Sequence, residues 1–140
     1  MDVILCATRG GEASVKTQQR AIEIAQERGA KLVFIFVSDA RFLNAFTAPH
    51  VPAMEDEMEH LGEFLLLMAK ERAEKAGVPS DFTVRTGVFR AALIKAAGEY
   101  GASLIILGRP GEQGLTTLDY LENELLPAIR DATGTDTILA

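Results

Sequence analysis

The chain has 140 residues, of which 48% are hydrophobic and 24% are charged, a composition that suits one globular domain with a buried core. Its formal net charge of −6 argues against general binding to nucleic acid or to anionic lipid, since such binding depends on many contacts between Lys or Arg and phosphate. Its single cysteine excludes a disulfide framework. With neither a signal-peptide pattern nor about 18 consecutive apolar residues, the sequence predicts a cytoplasmic protein without a membrane partner.

Strand and helix patterns alternate strictly from the start of the chain. Residues 2–7 and 31–37 are largely apolar runs without polar alternation, which is typical of strands covered on both faces of a sheet. Between them the pattern predicts a helix from Glu12 to Arg28. Cys6, inside the first strand, is interpreted as a buried, reduced structural thiol.

The long connection after the second strand is interrupted by two prolines. Pro49 and Pro52 predict that no helix forms before about Met54. A second helix is then predicted as far as Lys75, with glycine and proline soon after it. Helical spacing relates four of its apolar residues, Met58, Leu61, Leu65 and Met68.

The second half of the chain continues the alternation. A strand over residues 81–87 alternates apolar and polar side chains, which predicts an edge position with one wetter face. A helix follows from Arg90 to Tyr100, and then an apolar strand over residues 103–108. A last helix is predicted from Thr117 to Arg130, before a short strand over residues 136–140. The buried face of that last helix would consist of Leu118, Leu121, Leu125 and Ile129.

This alternation predicts a single three-layer α/β/α domain over residues 1–140, with a five-stranded parallel sheet in the order 3-2-1-4-5. Ligands of such sheets bind beyond the carboxyl ends of the strands, where the strand order reverses. Here the reversal lies between strands 1 and 4. The turns after those strands, residues 8–14 and 108–114, are rich in glycine, and they contain Arg9 and Arg109 respectively. We therefore expect the two loops to face each other.

The sequence resembles the universal stress protein family over its whole length. The resemblance rests on the first strand with its glycine turn, on "VRTGVFRAALIKAA" at residues 84–97 and on "GASLIILGRPG" at residues 101–111. It implies a Rossmann-like fold of the adenine nucleotide alpha hydrolase-like type, a stress-response or regulatory role, and a homodimer that commonly forms through the fifth strand. Because the fifth strand is short here, we expect the dimer to form instead through the second helix or the loop around Phe42 and Phe46.

The resemblance also implies a ligand between the two glycine loops. An adenine nucleotide such as ATP or AMP, or a smaller anion, would bind there, with the adenosine against the end of the second strand. The candidate binding residues are Ala7, Thr8, Arg9, Val37, Gly108, Arg109, Gly111, Gly114, Leu115 and Thr116. No catalytic residues and no metal ligands are predicted.

Two departures from the ATP-binding members of the family change the expected ligand. Those members have Gly, two residues, Gly, nine residues and then Gly-Ser or Gly-Thr, which contacts the outer phosphates. Gly111 and Gly114 match the first part, but Glu124 and Leu125 stand in place of the final pair. Arg9 stands where those members have an Asp near the adenosine, and arginine cannot accept hydrogen bonds.

These departures favour a universal stress protein-like module with a degraded or altered anion pocket that acts through dimerisation. The alternative function is that of a stress protein that binds ATP or AMP, and a further alternative is an enzyme that hydrolyses ATP. Nothing in the residue pattern points to catalysis, because no nucleophile with a paired base is apparent.

Three features of the loops can each be interpreted in two ways. The glycines of residues 108–114 form either an anion cradle or only a tight turn. Thr116 either offers its hydroxyl to a phosphate or caps the last helix. Arg9 and Arg109 either converge on one anion or each pair with a nearby acid. The nearby acids would be Asp39 for the first arginine and Glu112 for the second.

Overall fold

One parallel sheet with helices on both faces makes up the described part of the protein. The computed structural model describes residues 2–8, 12–38, 51–108 and 124–140. Its strands follow the order β3-β2-β1-β4-β5, which confirms the predicted topology. The strands are β1 (Val3–Ala7), β2 (Lys31–Ser38), β3 (Ser80–Thr86), β4 (Leu104–Leu107) and β5 (Asp136–Leu139). The helices are α1 (Glu12–Arg28), α2 (Val51–Lys75), α3 (Phe89–Tyr100) and α4 (Leu126–Thr133).

The core consists of two apolar clusters, one on each face of the sheet. In β1, Ile4 and Cys6 join the cluster beneath α1 and α2, while Leu5 and Ala7 join the cluster beneath α3 and α4. This alternation explains why the strand needs apolar residues at every position, since both of its faces are removed from water. The prediction of strands covered on both faces is confirmed.

The sheet has β3 at one edge and β5 at the other. Phe82 and Val84 of β3 pack, partly buried, against the cluster beneath α1 and α2, which confirms the predicted edge strand. On the other edge, β5 pairs with β4 from Asp136 to Leu139. Among the described helices, none combines the length and the apolar character needed to cross a membrane.

The start of α2 differs from the prediction. The helix begins at Val51, so that Pro52 lies in its first turn instead of preceding the helix. Proline is tolerated there because the first N–H groups of a helix have no acceptor within the helix, and the φ angle of proline suits a helix. The prediction that Pro52 excludes a helix before Met54 was therefore wrong.

The buried face of α2 lies one residue away from the apolar row found in the sequence. Leu61 and Met68 are 55% and 37% exposed, Leu65 is only partly buried, and the side chain of Met58 lies outside the described part. The helix instead packs on the sheet through the row Gly62, Leu66, Ala69 and Ala73. Small residues are used here because the helix lies close to the strands: a Cβ at Gly62 would be 2.5 Å from Cδ1 of Phe36.

The last helix is confirmed where it is described. Leu125 and Ile129 are 1% and 0% exposed, as predicted for the buried face. The helix ends at Thr133 and not at Arg130, and a π-type turn at Glu124 and Leu125 precedes it. The predicted start at Thr117 and the predicted buried residues Leu118 and Leu121 lie outside the described residues.

Candidate functional site

The carboxyl ends of β1 and β4 lie side by side. Within the sheet, Cys6 of β1 is level with Ile106 of β4, so Thr8 and Gly108 follow two residues later on neighbouring strands. The backbone N–H of Thr8 donates to the carbonyl oxygen of Ile35, 2.9 Å away, which continues the sheet to the point where the first loop begins. The two glycine-rich loops therefore leave adjacent strands at the reversal of the strand order, where such sheets bind ligands.

The predicted binding residues at this edge occupy both faces of the sheet. Ala7 is 8% exposed and belongs to the cluster beneath α3 and α4, and Val37 of β2 packs, partly buried, against the same cluster. Thr8 is 3% exposed and follows Ile4 and Cys6 in the alternation of β1, which places it on the face of α1 and α2. A ligand at this edge would meet Thr8 and Val37 from different sides.

Gly108 has a packing reason to be glycine. A Cβ atom there would lie 2.9 Å from Oγ1 of Thr17, a residue of α1 that is 4% exposed. The absence of a side chain thus lets the end of β4 approach α1 closely. The close packing against Thr17 is therefore enough to explain why residue 108 is glycine, without a role in binding a ligand.

A chain of hydrogen bonds links Thr8 to both helices on its face of the sheet. Nε2 of Gln18, in α1, donates to Oγ1 of Thr8 at 2.9 Å. Nη1 of Arg72, in α2, donates to Oε1 of Gln18 at 2.8 Å. Gln18 is 3% exposed, so its amide and the Thr8 hydroxyl interact away from bulk water. A guanidinium group is in this way connected, through one amide, to the end of β1.

A second buried hydroxyl lies on the same face. Ser38 ends β2 and follows Phe34 and Phe36 in the alternation, both of which belong to the cluster beneath α1 and α2. It is 0% exposed, and within the described residues its Oγ has no hydrogen-bond partner. Its carbonyl oxygen accepts the N–H of Gly87 at 2.9 Å. Since a buried hydroxyl normally has a hydrogen-bond partner, this group adds a polar atom to this edge of the sheet.

Six of the predicted binding residues lie outside the described residues. They are Arg9, Arg109, Gly111, Gly114, Leu115 and Thr116. The acids proposed to pair with the two arginines, Asp39 and Glu112, lie outside them as well. The convergence of the arginines, the anion cradle and the role of Thr116 therefore stay predictions.

The position expected to contact outer phosphates is described, and it is part of the core. Leu125, which stands where ATP-binding members have Ser or Thr, is 1% exposed in the cluster beneath α3 and α4. Glu124 beside it is exposed and acidic. An apolar side chain committed to the core cannot donate a hydrogen bond, so this position offers no hydroxyl to a phosphate.

Gln18, Arg72 and Ser38 were not found from the sequence. Gln18 interrupts an apolar row of α1 that includes Val15 and Ile22, and a polar residue at such a spacing indicates a buried hydrogen bond. Arg72 carries no comparable indication, because a basic residue near the end of a helix is common on helix surfaces. Its role becomes visible only from the distance to Gln18.

The described residues contain no group of three or more His, Cys, Asp or Glu side chains arranged to hold a metal ion. Cys6 is fully buried, and desolvation raises the pKa of its thiol to about 12. At neutral pH it is therefore a protonated core residue and a poor nucleophile or metal ligand.

The sequence matches a known family. The family model described as the universal stress protein family matches residues 1–118. Universal stress protein YxiE of Bacillus subtilis (strain 168) is 27% identical to this chain over 120 residues, which are 80% of this chain and 81% of the relative.

Solved structures from the same family have the same fold. A family member from Burkholderia pseudomallei has a TM-score of 0.77 and 23% identity, and the match covers 99% of this chain and 95% of that one. A universal stress protein in complex with cAMP has a TM-score of 0.68 and 24% identity, and covers 99% and 96% of the two chains. More distant in sequence, at 12% identity each, are an Archaeoglobus fulgidus structure in complex with dAMP and an Arabidopsis thaliana structure with AMP bound, with TM-scores of 0.60 and 0.61. Their matches cover 99% of this chain and 96% and 90% of those chains respectively.

Proposed function

The chain belongs to the universal stress protein family, and on that premise we propose that it is a cytoplasmic stress-response module with an altered nucleotide pocket. The pocket would lie between the loops after β1 and β4 and would take an adenine nucleotide with a single phosphate. The module would act through its conformation and its association with a second copy, and not through catalysis.

The observation that carries this proposal is the burial of Leu125. By family resemblance, this position would help to hold the outer phosphates of ATP, but here its side chain is 1% exposed in the core. The exposed carboxylate of Glu124 beside it would repel a triphosphate. A site that lacks this part can still hold a nucleotide whose one phosphate rests on the glycine loop after β4.

The ligands of solved family members agree with this interpretation. The three complexes described above hold cAMP, dAMP and AMP, each with one phosphate. None of these ligands needs a group that contacts outer phosphates. The end of β1 in this chain offers the Thr8 hydroxyl, which is suited to a nucleotide's hydrogen-bonding atoms.

Isothermal titration calorimetry with AMP, cAMP and ATP tests the proposal. We expect AMP and cAMP to bind with saturation and ATP to bind no tighter than AMP, because the additional phosphates gain no contacts. Gly111→Val should abolish binding, since a branched side chain would fill the loop proposed to surround the phosphate, and Arg109→Ala should weaken it. Flat titrations with all three nucleotides would contradict a working pocket, and clearly tighter binding of ATP would contradict the altered site.

An ATP-hydrolysing enzyme is the alternative of a different class. It would need a group that activates water near the outer phosphates, and the described residues at that position are Leu125 and Glu124. Steady turnover of ATP that is lost on a single substitution at this site would favour the enzyme over the binding module.

Association with a second copy is the second part of the proposal. The α2 surface, defined here as Leu61, Phe64, Leu67 and Met68, exposes these four large apolar side chains by 55%, 61%, 47% and 37%. The β5 edge exposes one, Ile138, by 36%. Contiguous exposed apolar side chains mark interaction surfaces, so we propose that the α2 surface contributes to the dimer more than the short β5 edge does.

A further inference from the structure

Arg72, Gln18 and Thr8 form a chain of hydrogen bonds that has only one possible direction. An arginine side chain has donors and no acceptor, so the oxygen of the Gln18 amide, and not its nitrogen, must face Arg72 at 2.8 Å. The amide nitrogen is then left to donate to Oγ1 of Thr8 at 2.9 Å. The orientation of the amide, which is often ambiguous, is fixed here by its charged neighbour.

The direction of this chain determines what Thr8 can offer. Because its hydroxyl oxygen already accepts a hydrogen from Gln18, the hydroxyl's own hydrogen must point away from Gln18. Thr8 also directly follows β1, at the reversal of the strand order beside Gly108. Its backbone N–H is occupied by the carbonyl oxygen of Ile35, so the hydroxyl is the donor that remains.

We propose that Arg72 and Gln18 are positioning residues that hold the Thr8 hydroxyl as a hydrogen-bond donor to the bound ligand. This inference rests on the proposed nucleotide pocket and adds a requirement that the bound ligand must meet. The site would favour an adenine nucleotide that presents an acceptor atom, such as a phosphate oxygen or a ring nitrogen, towards the end of β1. A hydrogen bond supported by a charged group is stronger than one between neutral groups, so the guanidinium of Arg72 strengthens the donor at a distance.

A purely structural role is the competing explanation, since the same bonds also connect α2 to α1. A second glutamine of α1, Gln26, provides a comparison that tests this structural role. Gln26, two helical turns after Gln18 in α1, donates from its Nε2 to the carbonyl oxygen of Ala76, directly after α2, at 2.8 Å. This bond joins the same two parts of the fold but does not lead to Thr8. Gln26 is exposed and Gln18 is buried, so a structural role predicts that changing Gln18 costs more stability but leaves the affinity for AMP unchanged, whereas a positioning role predicts a loss of affinity.

The test is a double-mutant cycle read by the affinity for AMP in calorimetry. Gln18→Met keeps the length of the side chain and removes both hydrogen bonds, and Gln26→Met is the control. We expect Gln18→Met to weaken AMP binding by about threefold to tenfold, the equivalent of one net hydrogen bond, and Gln26→Met to leave the affinity unchanged. Thermal melting of each variant confirms that it is folded.

The cycle is completed by changes at Thr8 and Arg72, the two ends of the hydrogen-bond chain. In a Thr8→Val background, Gln18→Met should have no further effect on AMP affinity, because the group that it positions is gone. Thr8→Ser should retain most of the affinity, and Arg72→Lys, which keeps a charged donor, should bind AMP more tightly than Arg72→Met. Should Thr8→Val fail to fold, the comparison of Thr8→Ser with Thr8→Ala takes its place.

The outcomes separate the two proposals. If the wild-type protein binds AMP and Gln18→Met binds it equally well, or if Gln18→Met weakens binding to the same extent in the Thr8→Val background, the positioning role is overturned while the pocket stands. If the wild-type protein binds no nucleotide, the proposed pocket is overturned and this role is overturned with it.

Discussion

Cys6 shows how burial alone sets the chemistry of one residue. It lies in β1 with no exposed surface, and desolvation raises the pKa of its thiol from 9.0 to about 12. In the unfolded chain the thiol is in water and returns to its usual pKa. The folded state therefore retains this proton between about pH 9 and pH 12 while the unfolded state releases it.

The sign of the resulting pH dependence follows from this difference. The contribution of Cys6 to stability is fully present below pH 9.0 and is lost as the pH rises towards about 12, by about 1.4 kcal/mol for each pH unit. Urea unfolding of the wild type and of Cys6→Ala at pH 8.5, 9.5 and 10.5 measures this contribution to the free energy of unfolding. The other groups titrate alike in both proteins, so the stability difference between them should narrow with rising pH. A difference that stays constant over this range would contradict the prediction.

At the scale of single elements, α2 is divided between two apolar surfaces. Its buried row is built mainly from glycine and alanine, which brings the helix close to β2, and the larger apolar side chains lie on the exposed α2 surface. Gly62 is the closest point, since a Cβ there would meet three ring atoms of Phe36 at 2.5 to 2.9 Å. Gly98 of α3, by contrast, has nothing within 4 Å of where its Cβ would be.

The two helical glycines should therefore respond oppositely to alanine. Gly98→Ala should raise the free energy of unfolding by up to about 1 kcal/mol, because alanine is the better helix former and meets no neighbour. Gly62→Ala gains the same propensity but forces the ring of Phe36 or the helix to move, at a cost of about 1–3 kcal/mol. We expect a net loss of stability for Gly62→Ala in chemical denaturation. A gain at both positions would show that the sheet can accommodate the additional methyl group beneath α2.

For the whole molecule, the α2 surface and the edge of the sheet suggest different dimers. Strand β5 has only four residues and one exposed large apolar side chain, which is little to hold two copies together. The α2 surface offers a wider apolar area, and burying it would be favourable by about 25 cal/mol for each Å². The association proposed above therefore depends on α2.

Light scattering on purified protein distinguishes these two dimers. Phe64→Glu places a charge on the α2 surface and should give a monomer at concentrations where the wild type is a dimer. Ile138→Lys places a charge on β5 and should leave the dimer intact. Both residues are exposed, so both variants should fold as the wild type does. Loss of the dimer in Ile138→Lys alone would show that the sheet edge forms the interface, and a monomeric wild type would contradict the proposed association.

Much of the fold was predictable because its determinants are local. Runs such as residues 3–7 and 104–107 have apolar side chains at successive positions and are short, which is typical of strands covered on both faces. The alternation of strands and helices then restricts the topology, because crossovers between parallel strands are right-handed. The family followed from the same segments. The start of α2 was wrong because Pro52 is compatible with a first turn, and local sequence alone does not decide between breaking a helix and beginning one.

The sequence by itself determined the family, the order of the sheet and the adjacency of the ends of β1 and β4, where the site is proposed. Only the tertiary structure decided which row of α2 is buried, because neighbouring rows around "GEFLLLMA" are both apolar, and the close approach to Phe36 selects the row with the smaller side chains. It alone placed Arg72 and Gln18 behind Thr8, since these residues are far apart along the chain, and a hydrogen bond depends on distance in space and not on separation in sequence.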